Sequence, residues 1–379
     1  MSKQDDYDDL HWSQDSHTSQ FSRYINPSLI DFIDHLQSFE YIPEISEVAD
    51  LMDLHTSTVW KIMKAIKQKG LEFQGLIDVA RLGMVEVILI FDKFLDITKL
   101  PKCLLREYAP VLPWGSYLRY VVPKNSVESF LTSLYVKLGA EAREVYVLPV
   151  TVHNRPSLKE YYDVTSKRFL LSWDTLITRI KTSPRESLPK EIPEVRVRYD
   201  EVDLHIVREL ELNPFTSVKN ITRKLSEESR LDRVLNYVLV LRHYNNHVRN
   251  RGVIRGVRLK LERLFLDPPI KTLSVIVGNP IDLLRVSKVL STHVYFLDSY
   301  VSLSDNILVT QALIPPRLIF DLSLFLEKLR IDEVIKSWRN IYLDNTKLRK
   351  YAFPVKLYTL TVDEMLNLSD DELMIKELT

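Results

Sequence analysis

Hydrophobic positions recur along this chain at two different spacings, and the two spacings alternate in blocks. In the first block, Leu29, Ile30, Phe32, Ile33 and Leu36 fall at helical spacing and predict a helix over 28–38. Pro43 opens a second helix in EISEVADLMD, and a short turn at Leu54 and His55 leads to a third over 56–69, closed by Gly70. Val59, Ile62, Met63 and Ile66 form the buried stripe of that third helix, and Trp60, which borders the stripe, reads as packing. Ser57, Thr58, Lys61, Lys64 and Lys67 point outward. Three short helices with so brief a last connection predict a helix-turn-helix.

From Glu72 the pattern becomes mixed. MVEVILIF (84–91) is strand-like, 101–108 suits a helix, WGSYLRYVVP (114–123) a strand, 126–138 an amphipathic helix and 144–152 another strand. That order, with a further strand, predicts a ferredoxin-like α+β sandwich. Residues 164–198 hold one helical stretch (169–180) and then Pro184, Pro189 and Pro193, the pattern of an interdomain linker. The same order of elements then recurs roughly 180 to 190 residues later. Helices are expected over 200–212, 217–225 and 230–250, then strands and helices alternating from 253 to 343.

The expected fold class is therefore α+β, with two winged helix-turn-helix domains alternating with two ferredoxin-like (RAM-type) α/β sandwich domains. The boundaries read 1–24 (disordered acidic tail), 25–72, 73–163, 164–198 (linker), 199–263, 264–350 and 351–379 (a C-terminal extension).

Charge sharpens the second helical block. The formal net charge is zero, yet residues 219–263 hold twelve Lys or Arg against Glu227, Glu228, Asp232 and Glu262. Ser229 with Asp232 suits a helix start, and Leu231, Val234, Leu235, Val238, Leu241 and Val248 would face a core. Arg233, Asn236, Tyr237, Tyr244 and His247 lie on another face, and Gly252 suits the left-handed position that stops the helix. A short extended run carrying Arg255, Arg258 and Lys260 follows. This is how a winged helix would meet double-stranded DNA. Arg233, Asn236 and Tyr237 would reach base edges, while Arg249, Arg251, Arg255, Arg258 and Lys260 hold phosphates. In the first helical block Ser57, Thr58, Lys61 and Lys64 are the corresponding candidates, although acidic neighbours such as Asp31, Asp50 and Asp53 oppose a phosphate backbone.

Other chemistries find little purchase. No apolar run approaches the ~20 residues of a membrane span, and the acidic start MSKQDDYDDL lacks the apolar segment of a secretory signal, so a cytoplasmic, nucleoid-associated protein is expected. Cys103 is the one cysteine and reads as a core thiol in an apolar helix. Neither a G-x-G-x-x-G nor a Walker loop occurs, and no nucleophile–base spacing stands out, so no cofactor and no enzymatic activity are expected. His243 and His247 are four apart, the spacing of a metal pair, but no third ligand is apparent in sequence and surface histidines are expected.

Short motifs resemble the Lrp/AsnC feast/famine regulators. YDEVDLHIVREL (199–210), with Asp200 and Asp203, resembles that family's opening helix, and KGLEFQGLIDVARLG (69–83) its junction between helices and sandwich. RNRGVIRGVRLKL looks like a second, looser copy, and WGSYLRYVVP resembles the strand after the ligand loop of the effector domain. The resemblance implies DNA-binding transcription regulation, sandwich domains that pair (as a homodimer, or here as a covalent pseudo-dimer), and often a small-molecule effector. Ser116 stands where the family's pattern usually has an acidic residue, and SDNILVTQ (304–311) where a glycine is expected. Two alternatives belong to other classes. One is a tetrapyrrole decarboxylase, a family similar to these regulators in fold. It would need histidines and arginines lining a pocket between the sandwiches, with His153 and His293 the histidines near them. The other is a protein-binding scaffold using the acidic N-terminal unit.

Overall fold

The computed structural model describes residues 26–68, 70–163, 165, 168–169, 172–185, 199–228, 236–260, 269–355, 364 and 366. Its first helix, α1 (Pro27–Ser38), starts where Asn26 Oδ1 accepts the Leu29 amide at 2.8 Å and Pro27 presets φ. A capping box of Glu44 and Glu47 opens α2 (Ile45–Leu51), and α3 (Thr56–Gln68) buries Val59 and Ile66. After β1 (Phe73–Ile77) come β2 (Met84–Phe91), β3 (Leu105–Leu112), β4 (Ser116–Pro123), α4 (Val127–Leu138), β5 (Glu144–Leu148) and β6 (Val150–Val152). The connection holds α5 (Leu158–Tyr161), the short pair β7 (Tyr162–Asp163) and β8 (Arg168–Phe169), and α6 (Trp173–Thr182).

The second half repeats the order with α7 (Glu201–Leu212), α8 (Val218–Glu228), α9 (Tyr237–His243) running into a π-helical turn (Tyr244–Arg249), and β9 (Ile254–Leu259). Then follow β10 (Ile270–Val277), α10 (Pro280–Leu290), β11 (Phe296–Ser302), β12 (Ile307–Ile314), α11 (Ile319–Ile331), β13 (Ser337–Leu343) and β14 (Arg349–Lys350).

Strands pair antiparallel in the order β5-β2-β4-β3 in the first half and β13-β10-β12-β11 in the second. Within each group the first strand in sequence lies beside the third and fourth, the order of a ferredoxin-like sheet. β3 pairs with β13 through Leu112 and Val111 and also with β14, and β11 pairs with β6, so one continuous ten-stranded sheet results. β5 and β6 are separated in sequence by Pro149 alone, so the two ends of the sheet meet in one segment. Both lateral edges of the second half, and the β3 edge of the first, are thereby paired within the chain. Between the two sheet faces lies a cluster of Ile88, Ile90, Val111, Tyr117, Leu273, Val275, Tyr300 and Ile341.

The helices cross over. α1–α3 share a hydrophobic cluster with α6 of the connection and with α10 and α11 of the second half, whereas α7–α9 share one with β2, β4 and α4 of the first. The crossing point is a two-stranded ribbon, β1 paired antiparallel with β9 (Phe73↔Leu259, Gly75↔Val257). Gln37 of α1 fixes one side, accepting the Leu259 amide at 2.9 Å and donating to the Pro156 carbonyl at 3.0 Å. A glycine on each strand admits the end of the other half's leading helix. A Cβ on Gly75 would sit 2.5 Å from the Leu210 carbonyl oxygen in α7, and one on Gly256 would overlap the Phe39 carbonyl oxygen at the end of α1.

Two expected elements differ. Residues 101–108 do not form a helix: β3 begins at Leu105, and a register shift between Leu105 and Glu107 breaks the two-residue alternation, which imitates helical spacing in sequence. Cys103 accordingly precedes a strand; it is buried, and burial pushes its thiol up to about 12. The expected 230–250 helix has Asn236 as the N-cap of α9, its side chain accepting the Leu239 amide at 2.8 Å. The expected N-cap at Ser229 lies outside the described residues.

His293 sits where the connection packs on the second sandwich, its ring centroid 4.4 Å from that of Tyr161 and 5.7 Å from that of Phe296. Its Nδ1 accepts the Tyr295 amide at 3.1 Å, and Nε2 is buried with no hydrogen-bond partner. Burial, with Arg179 nearby, pushes its pKa down to about 3. The unfolded ring takes a proton near pH 6.5 that the folded ring refuses until about 3. Stability is therefore full above pH ~6.5 and falls through that window as acid is added, by up to about 5 kcal/mol. Urea titrations at pH 7 and pH 4 check this: the His293→Gln variant should lose most of the difference between the two.

Candidate active site

Under the β1–β9 ribbon lies a cavity of about 350 Å³, walled by β1, β2, β3, β4, β9 and β11, the β6 end and the segment from Asn345 to Phe353. Six Lys or Arg side chains line it (Arg106, Arg119, Arg258, Lys260, Arg349 and Lys350) against four carboxylates (Glu86, Glu107, Glu211 and Asp298), together with His153. Its volume is within the range of small-molecule sites.

Two charged networks hold the walls. In the first, Asp298 Oδ1 accepts from Arg258 Nη1 at 2.6 Å, the Asn154 amide at 3.1 Å and His153 Nδ1 at 3.3 Å. His153 Nε2 donates to the Ile77 carbonyl at 2.9 Å, which ties β1 to β11 through one ring. Burial alone would raise the Asp298 pKa, but Arg258 and His153 hold it below the usual carboxylate range.

In the second network, Glu107 accepts from Lys271 Nζ at 2.7 Å, Gln311 Nε2 at 2.9 Å, Tyr117 Oη at 3.0 Å and Arg119 Nε at 3.3 Å. Burial opposes ionisation here too, and Lys271 and Arg119 overcome it, so Glu107 titrates well below its ordinary value. Arg119 Nη1 also reaches both Glu86 oxygens at 3.1 Å, but burial wins at Glu86 and raises its pKa. The walls thus hold two firmly ionised carboxylates and one that keeps its proton to higher pH, an arrangement suited to acid–base work.

Of the cations expected on DNA, Arg258 and Lys260 line this interior, and the others described on and before β9 are engaged elsewhere. Arg258 is 12% exposed on Asp298, and Lys260, at 15%, donates to Glu72 at 2.9 Å. Arg255 lies 3.6 Å from Asp78, and its carbonyl accepts from Arg155. Arg249 pairs with Glu44 of α2 at 3.1 Å, and the Arg251 guanidinium lies over the Tyr199 ring at 5.5 Å. A phosphate-gripping wing needs an open strand with unengaged cations. β9 instead has β1 along its edge, α1 against it and carboxylates of other elements on its arginines.

Asn236 spends its side chain on the α9 cap, Tyr237 is half exposed, and Arg233 lies outside the described residues. On α3, Ser57, Lys61 and Lys64 are exposed and Thr58 is half-buried. Lys61, Lys64 and Lys67 border an apolar groove with Met63, Phe73 and Phe215. Trp60, expected to pack, is instead 54% exposed on that groove.

No protein-family model matches the chain, and no curated protein matches it either. Solved structures similar to it include two of the siroheme decarboxylase NirDL. One is in co-complex with an iron-uroporphyrin III analogue (TM-score 0.40, 14% identity, 83% of this chain and 90% of that chain covered). The other has a TM-score of 0.41 and 12% identity over the same shares. Both are of an enzyme and neither is of a regulator. Several expectations are corrected on these findings and on the engaged cations of β9: a feast/famine regulator, transcription regulation, double-stranded DNA as partner, nucleoid association and the absence of enzymatic activity. Among the described residues no helix is long and apolar enough to cross a membrane.

Glu86, Arg106, Glu107, Arg119, Lys271 and Gln311 had no place among the expected site residues. Their signal was present as single charged or amide side chains inside aliphatic strands, such as Glu86 in MVEVILIF and Lys271 in IKTLSVIV. Strands buried on both faces leave such residues only one use, pairing with each other.

Proposed function

We propose that this chain is an Lrp/AsnC-fold enzyme of the tetrapyrrole decarboxylase type, working in the cavity beneath the β1–β9 ribbon. The observation that carries the proposal is the convergence of arginines, lysines and His153 on one cavity between the sandwiches. At about 350 Å³ that cavity takes one carboxylate-bearing edge of a macrocycle. Arg258 and Lys260 would receive carboxylates by exchanging their present partners, since a guanidinium fork suits them. On decarboxylation the bond from the α-carbon to the carboxyl carbon breaks and carbon dioxide leaves. The electron pair stays on the α-carbon, conjugated with the pyrrole, and takes a proton. His153 is the donor we assign: its Nε2–H, now on the Ile77 carbonyl, would turn from that carbonyl to the α-carbon while Asp298 holds Nδ1.

In this reading the two helical units are winged helix-turn-helix units whose wings, paired with each other, roof the site. The division at residues 72, 163, 198, 263 and 350 describes their alternation with the sandwiches. Titrating the purified chain with iron-uroporphyrin III should give a saturable 1:1 change in the visible spectrum, with carbon dioxide released on incubation with a decarboxylatable tetrapyrrole. His153→Gln should keep binding within a few-fold while turnover drops by ~10²–10⁴. Unchanged spectra, or unaltered turnover in that variant, would rule the assignment out.

A further inference from the structure

Outside the cavity lining, the start of α7 meets the end of α9. Asp203 belongs to the capping box of α7: its Oδ2 accepts the Asp200 amide at 3.0 Å, which fixes the carboxylate's orientation. Its Oδ1 faces two imidazoles, His243 Nδ1 at 2.9 Å and His247 Nδ1 at 3.0 Å. One ligand atom from each of the three residues lies within 4.8 Å of the others. Asp200 adds a second carboxylate, its Oδ1 3.6 Å from His243 Nδ1. The four-residue spacing puts both rings on one side of the helix, and the π-helical turn Tyr244–Arg249 carries His247.

We propose that Asp203, His243 and His247 form a site for one divalent transition metal ion of the zinc class, with Asp200 at its open edge. Three features support this assignment. The donors are two nitrogens and a carboxylate, a set that favours zinc-like ions over magnesium or calcium. The Asp203–histidine separations of 2.9 and 3.0 Å are a few tenths of an ångström short of the ~3.3 Å edge of a tetrahedron with ~2.0–2.1 Å metal–ligand bonds, and the donor atoms all lie within 4.8 Å of one another, so a turn of the two rings about their side-chain torsions seats an ion. The inner ligand is buried and held by a backbone amide, whereas His247 is 30% and Asp200 55% exposed, giving an ion a way in. The bound ion would clip α7 to α9, and the opposite end of α7 carries Glu211, the cavity partner of Arg106. The site is independent of the reaction proposed above.

Cobalt and zinc are the probes. The full-length chain, stripped with chelator and titrated with Co²⁺, should take up one equivalent with visible absorption of a nitrogen-ligated ion. Zn²⁺ should displace it and raise the Tm. His243→Ala with His247→Ala should weaken binding at least ~100-fold. His247→Gln, at the more exposed ring, serves if the double variant does not fold. No stoichiometric uptake by the parent chain, or equal affinity in the folded variant, would overturn the site. Neither result bears on tetrapyrrole turnover.

Discussion

Replacing Asp298 with alanine lowers folding stability by about 3–5 kcal/mol. The carboxylate neutralises Arg258, which is 12% exposed, and receives the Asn154 amide and His153 as well. Without it, a buried guanidinium, a ring nitrogen and a main-chain amide lose their partner together, and water cannot fully replace it. Asp298→Asn should cost less, because an amide oxygen still accepts one of the three bonds. The pH dependence follows from the depressed carboxyl: its contribution is complete above the unfolded value near 3.9 and disappears as the pH falls below it. Denaturant unfolding followed by tryptophan fluorescence measures the loss; a change under 1 kcal/mol would mean that Asp298 does not anchor Arg258.

Alanine at Gly256 is expected to cost about 2–5 kcal/mol, from a left-handed backbone and an overpacked contact acting together. φ there is +132°, and an added Cβ would overlap the Phe39 carbonyl oxygen at the end of α1. Gly75→Ala meets the same obstruction from α7 without the unusual φ, so it should cost less. Because the two positions are neighbours across one ribbon, each against the end of a different helix, the double variant should lose the crossover of the helices and with it the cavity roof. Thermal unfolding compares the variants; equal melting temperatures for parent and Gly256→Ala would refute the close approach.

Local elements were largely legible. The strand over 84–91 and the helix ending at Ser38 are written in alternation and in three- and four-residue spacing, which are properties of neighbouring side chains. The exception, residues 101–108, failed because a bulge copies helical spacing. Site residues were less legible. Arg258 looks the same in sequence whether it meets a phosphate or Asp298, forty residues away. His243 and His247 show a metal spacing, but the third ligand, Asp203, comes from another helix forty residues earlier and was visible only as a cap.

The sequence by itself determined a duplicated succession of three helices and a four-stranded sheet, since hydrophobic spacing and capping act within a few residues. Only the tertiary structure decided that each leading helix packs on the other half's wing strand, α1 on β9 and α7 on β1, pairing the wings and setting Arg258 and Lys260 into the cavity wall. That choice depends on contacts between segments more than a hundred residues apart, such as Gln37 with Leu259. Local periodicity carries no record of them, and they determine whether a basic strand faces solvent or roofs a cavity.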